Sequence, residues 1–148
     1  MSRTALRATG ALLLIAAGCA STRPERLPVM PSQLAPCPSS PNCVSSQAAD
    51  AAHHVDPIPY RGDHIEAMRR LRAVIEAMPR ARVVDTDDVA LHAEFTSRIF
   101  RFVDDVDCVV DAQAHVIEIR SASRIGYSDL GANRTRVEAI RAAFAPRQ

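Results

Sequence analysis

Apolar and polar residues alternate through the middle of the chain and recur at helical spacing on either side of it. Between Asp63 and Pro79, Ile65, Met68, Leu71, Ile75 and Met78 fall three or four residues apart, which puts them on one face of a helix. Asp63 and Glu66 have the Asp-x-x-Glu spacing of a capping box, and Pro79 stops the run. Arg69, Arg70 and Glu76 fall off the stripe and read as a solvated face. Four runs without helical period follow, at 81–85, 89–96, 100–111 and 115–121. Asp87-Asp88 and Asp111-Ala112-Gln113-Ala114 are short polar breaks, as between hairpin strands. Leu91, Ala93 and Phe95 alternate with His92, Glu94 and Thr96, while Phe100, Phe102, Asp104, Val106, Cys108 and Val110 share one parity. A last helix over 130–144 would bury Leu130, Val137, Ile140 and Phe144, with Asp129 or Asn133 as N-cap. The expected fold is α+β, in the order helix, four-stranded antiparallel meander, helix, with both helices packed on one face of the sheet.

The front of the chain is built differently. Arg3 and Arg7 precede an apolar run over 8–17, too short for a bilayer that needs about twenty residues. The run ends in Ala16-Ala17-Gly18 directly before Cys19. This is the three-part form of a secretory signal over 1–18, and its end resembles the lipobox of bacterial lipoproteins. In that family the cysteine is acylated and becomes the new N-terminus. The leucine usual three places before the cysteine is Ala16 here, and cleavage to a soluble exported protein is the alternative. Ala20 and Ser21 are not acidic, which by the same resemblance implies the outer membrane. The expected location is the cell envelope, lipid-anchored through Cys19 and facing the periplasm. Residues 19–36, with four prolines, read as the anchor and an extended tether. A single domain would fill 37–148, entered through a polar, irregular stretch over 44–60.

Export changes how the cysteines are read, because the compartment is oxidising. Cys37 and Cys43 bracket Pro38-Ser39-Ser40-Pro41-Asn42, and a local disulfide is the first reading. A metal site is the alternative, and it would need His53 and His54 as further ligands. Cys108, inside an apolar strand, reads as a small core residue. The net charge of +1 gives no bulk attraction to nucleic acid, and the absence of tryptophan argues against a stacking platform for bases or sugars.

Two stretches carry candidate chemistry. In Phe102-Val103-Asp104-Asp105-Val106-Asp107, strand alternation puts Asp104 on the face opposite Asp105 and Asp107, so a carboxylate on the apolar side needs a partner. Residues 120–136 join a strand to a helix and hold Arg120, Ser121, Ser123, Arg124, Tyr127, Asp129, Asn133 and Arg134. Amides at a helix N-terminus beside arginines suit an anion. The competing role is fastening, with the arginines pairing with Asp104, Asp105 and Asp129. His92 with Glu94 near Asp105 has the makings of acid/base chemistry, or of a plain polar strand face. No glycine pattern matches a dinucleotide or phosphate loop, and no cofactor or metal is expected.

Together these segments are similar to the family catalogued as domain of unknown function 1499. The likeness runs through Cys37-Pro38, Pro41-Asn42-Cys43-Val44-Ser45-Ser46, Leu91-His92-Ala93-Glu94 and Phe102-Val103-Asp104-Asp105-Val106. It continues through 120–131, Asn133-Arg134 and Arg136-Val137, about 37 to 144 in all. The resemblance implies a domain and no reaction, and it ties the aspartate strand and the Arg-Ser-Gly loop into one site or one lock. The preferred expectation is a non-enzymatic envelope module that binds a small ligand or an envelope protein, or is purely structural. The alternative is a hydrolase-like enzyme using Asp104 or Asp105 as base, His92 as acid/base partner and Arg124 as electrophilic stabiliser. Mass spectrometry of the mature N-terminus is expected to show an acylated Cys19 as the first residue, and an unmodified thiol there would rule the anchor out.

Overall fold

The computed structural model describes residues 33–145. The signal segment 1–18, Cys19 and the tether as far as residue 32 lie outside the described residues. In chain order the elements are β1 (Cys43–Ser45), β2 (Ile58–Pro59), α1 (His64–Glu76), β3 (Ala81–Thr86), β4 (Ala90–Thr96), β5 (Val103–Asp111), β6 (Val116–Ser123) and α2 (Ala132–Phe144). All six strands join one antiparallel sheet in the order β1-β6-β5-β4-β3, with β2 also on β6.

The helix–meander–helix expectation is therefore corrected. The sheet is six-stranded, and two of its strands precede the first helix. They lie in the stretch read as irregular and are too short to show an alternating pattern. What makes them strands is the outer edge of β6, whose backbone groups need partners. The two share that edge end to end: Ile58 and Pro59 pair with Ile117 and Val116, while Cys43, Val44 and Ser45 pair with Ala122, Ser121 and Arg120. Proline has no N–H and is tolerated at such an edge, where it also discourages pairing with another chain.

The core lies between one face of the sheet and both helices. Met68, Leu71 and Ile75 of α1 and Val137, Ile140 and Phe144 of α2 are buried against Leu91, Ala93, Phe95, Val106, Cys108, Ile117 and Ile119. Cys108 is a free thiol in this core, and burial holds its pKa far above the ordinary value. The opposite face of the sheet carries no helix among the described residues, and charged side chains cover it instead.

Several local expectations fail for identifiable reasons. Asp63 makes no side-chain cap on α1; it lies beside His64, and Glu66 pairs with Arg69 instead of reaching back. Ile65 is exposed because α1 has turned it off the buried stripe. Leu130 precedes α2 in left-handed backbone (φ 54°) and is 96% exposed, so it takes no part in the helix stripe. β5 starts at Val103 and not at Phe100, since Ser97–Phe102 closes as a loop through Ser97 N donating to Phe102 O. Phe100 and Phe102 therefore stack on one another outside the core.

Cys37 and Cys43 are joined by a disulfide with a Cα–Cα distance of 5.6 Å. His53 is not a ligand beside them. Its Nδ1 contacts Asp50 at 2.8 Å and its Nε2 the Ser40 carbonyl at 3.2 Å, and the Asp50 contact raises its pKa. Replacing both bridged cysteines by serine is expected to lower stability by about 2 kcal/mol, the loop-closure value for so short a ring. A shift of the urea midpoint with unchanged slope would register it, and no shift at all would show that the bridge shapes the loop without stabilising the domain.

Candidate functional site

β5 presents carboxylates on both faces, and the chain answers each face separately. Asp104 shares parity with Val106 and Cys108 and points among the core residues, where it is 6% exposed. A bare carboxylate there would be expensive. Arg136, one turn into α2, donates to Asp104 Oδ2 at 2.5 Å from Nη2. Its Nη1 reaches Ser121 Oγ at 2.9 Å and Asn133 Oδ1, and its guanidinium lies over the Phe95 ring. Ser121 Oγ donates to Asn133 Oδ1 at 2.7 Å, and Asn133 Nδ2 donates to the Asn42 carbonyl and to Ser123 Oγ. Ser121 and Asn133 have no solvent exposure. The result is a satisfied polar plug binding α2 to β6, β5 and the segment before β1.

Asp105 points the other way, onto the helix-free face. The register sets Glu94 of β4 directly across from it and His92 across from Asp107, while Arg82 pairs with Glu94 and Arg120 with Asp107. Like charges directly opposite repel, and Arg124 resolves the conflict. Its Nε and Nη2 donate to the two Asp105 oxygens at 2.9 and 2.7 Å, and Nη2 also reaches Glu94 Oε1 at 2.7 Å. These bonds, to Asp105 first and then Glu94, push the guanidinium pKa above its ordinary value against the opposing effect of burial. Arg82 holds the other Glu94 oxygen at 2.6 Å. His92 sits between Asp107, at 2.7 Å from Nδ1, and Asp105, at 3.4 Å from Nε2. Arg120 approaches Asp107 at 3.4 Å.

Of the sequence candidates, Asp105, Arg120, Arg124 and His92 thus meet on one face, and Asp104, Ser121, Ser123 and Asn133 on the other. With Asp104 as base the catalytic set does not converge, because the sheet separates Asp104 from His92 and Arg124; Asp105, His92 and Arg124 do lie together. Asp129 neither joins the sheet nor pairs with an arginine in either network; its carboxylate accepts from the amides of Gly131 and Asn133 and so closes the start of α2. Arg134 donates to the carbonyls of Ala52 and His54, and Tyr127 stands exposed in the loop. Glu94 joins His92 here as the sequence suggests, whereas Asp107, Arg136 and Asn42 take part without having been singled out as site residues. Parity with His92 and Asp105 marks Glu94 and Asp107, and the three-residue step from Asn133 marks Arg136. Nothing local marks Asn42.

His92, Glu94 and Asp105 also place one ligand atom each within 4.8 Å of one another. The guanidinium of Arg124 already supplies the positive charge between Glu94 and Asp105, so a metal ion there would have to displace it.

The model of the family described as "Protein of unknown function (DUF1499)" matches residues 33–144. No curated protein and no solved structure matches the chain.

Removing the bridging cation strands two facing carboxylates. Arg124→Ala is expected to cost about 3 kcal/mol at neutral pH. The deficit shrinks toward about pH 4, where carboxylates begin to take up protons and repulsion across the strand pair falls. Arg124→Lys recovers only part of it, because an ammonium cannot hold both oxygens of Asp105 in one plane. Urea unfolding at both pH values measures this, and a pH-independent loss would show that packing and not charge is what Arg124 provides.

Proposed function

We propose, from the premise that the chain belongs to the DUF1499 family, that it is an exported, lipid-anchored envelope domain acting as a non-enzymatic binding or structural module. The observation that carries the non-enzymatic part is saturation. Asp104, Asp105, Asp107 and Glu94 each have an arginine partner from within the chain. A general base needs a lone pair turned toward substrate, and these are turned toward arginines and His92. The hydrolase alternative also loses Asp104 to the helix side of the sheet. Fastening is thus the reading the geometry favours for the arginines of 120–136. Any partner is left with the exposed part of that loop, Ile125 to Leu130.

The envelope part rests on the leader alone: Arg3 and Arg7, the apolar run, and Gly18-Cys19. The outer membrane follows from Ala20 and Ser21 by resemblance to lipoprotein sorting.

Fractionation of cells expressing the chain tests the anchor. The unaltered chain is expected in membranes washed with about 1 M salt, where screening reaches within about 3 Å, and released by detergent. Cys19→Ser is expected in the soluble fraction after the same wash. Recovery of the unaltered chain from the cytoplasm would overturn export, and salt-resistant membrane retention of Cys19→Ser would overturn acylation as the anchor.

A further inference from the structure

Six of the eight large apolar side chains that are exposed among the described residues gather at one end of the sheet. The Ser97–Phe102 loop follows β4 and the Arg124–Gly131 loop follows β6, and Arg124 N donating to Val103 O sets the two side by side. They display Ile99, Phe100, Phe102, Ile125, Tyr127 and Leu130, of which Phe100 is 72% and Leu130 96% exposed. Arg101 and Leu130 are held in left-handed backbone, φ 57° and 54°, a costly conformation for residues with a side chain. Neither position gains anything for the core.

The charge at this end is mostly positive. Arg98 and Arg101 interleave with Ile99, Phe100 and Phe102, and Arg80 lies at the adjoining start of β3. No ion pair among the described residues involves any of the three arginines. The 97–102 loop contains no carboxylate, and Asp129 is the one carboxylate of the other loop, its oxygens accepting from α2 amides. The opposite end of the sheet, at the β3–β4 and β5–β6 turns, carries Asp87, Asp88 and Asp111. The domain is basic and aromatic at one end, acidic at the other.

We propose that this end is a membrane-docking tip, which seats its aromatic and aliphatic side chains among the headgroups of a bilayer containing anionic phospholipid. Aromatic rings settle at that depth, and arginines beside them meet the lipid phosphates. The acidic far end is repelled by the same surface and orients the domain tip-first. The inference goes beyond the anchor, since it belongs to the folded domain and holds with or without an acyl group on Cys19.

The chain has no tryptophan, so Phe100→Trp in the full chain gives a single tryptophan at the tip, selectively excited beyond tyrosine absorption, and Val89→Trp one at the far end of β4. Each is mixed with vesicles of phosphatidylcholine alone or with phosphatidylglycerol, carrying brominated acyl chains as quenchers. The expected result is a blue shift and quenching for Phe100→Trp with phosphatidylglycerol only, and neither for Val89→Trp. Adding Arg98→Gln and Arg101→Gln to Phe100→Trp is expected to weaken binding about five-fold per arginine, roughly 25-fold together. The same readings with Cys19→Ser support the tip as the binding element; their loss with Cys19→Ser leaves binding to the anchor and overturns the tip. Equal quenching at both positions, or quenching by phosphatidylcholine alone, overturns it as well. A blue shift that grows with protein concentration in the absence of lipid assigns the tip to a second copy of the chain.

Discussion

Asp104 and Asp105 occupy successive positions of a strand inside the sheet, so their carboxylates leave it in opposite directions. Each must be neutralised where it lands, and no single arginine can reach both. The chain solves this with one segment that passes over the end of β5. Arg124 leaves β6 on the helix-free face and closes on Asp105 and Glu94, and twelve residues later Arg136 returns on the helix face and closes on Asp104. The intervening loop straddles the sheet end as a clip. Where α2 begins, why Asn133 is buried, and why the segment before β1 lies against α2 all follow from where the second jaw must sit.

That arrangement clarifies what the two networks contribute. Ion pairs of this kind return little net stability once desolvation is counted, but they penalise alternatives severely. A one-residue slip of β5 would move Asp104 and Asp105 to the opposite faces and set a valine, Val103 or Val106, against one of the two arginines. The charges therefore specify register in a sheet whose helix-free face has no hydrophobic layer to do so.

Much of this was legible along the chain. The opposite-face placement of Asp104 and Asp105 follows from strand alternation alone, and the buried residues Met68, Leu71 and Ile75 follow from helical spacing. The pieces that escaped are those set by distant partners. Cys43–Ser45 and Ile58–Pro59 are strands because β6 needs an edge, and no pattern inside three residues or two can announce that. Leu130 has the spacing of a buried helix position, and Phe100 and Phe102 have the strand parity of Val106 and Cys108; the loop closures that expel them depend on Ser97 and on Leu130 turning left-handed. Asn42 acts through its carbonyl as well as its side chain, and a backbone acceptor leaves no residue-type signal at all.

The position of Cys108 bears on how the chain matures. Three of its thiols lie within the described residues, and in an oxidising medium any two of them can meet before the core closes. Cys37 and Cys43 are 6 residues apart, whereas Cys43 and Cys108 are 108 − 43 = 65 apart. The difference in closure entropy is about 2 kcal/mol, so the neighbours encounter each other roughly thirty times as often. Burial then removes Cys108 from the contest by keeping it a thiol and not a thiolate. Proximity along the chain thus favours the Cys37–Cys43 pairing over one with Cys108, and closure of the core then shields Cys108 from exchange.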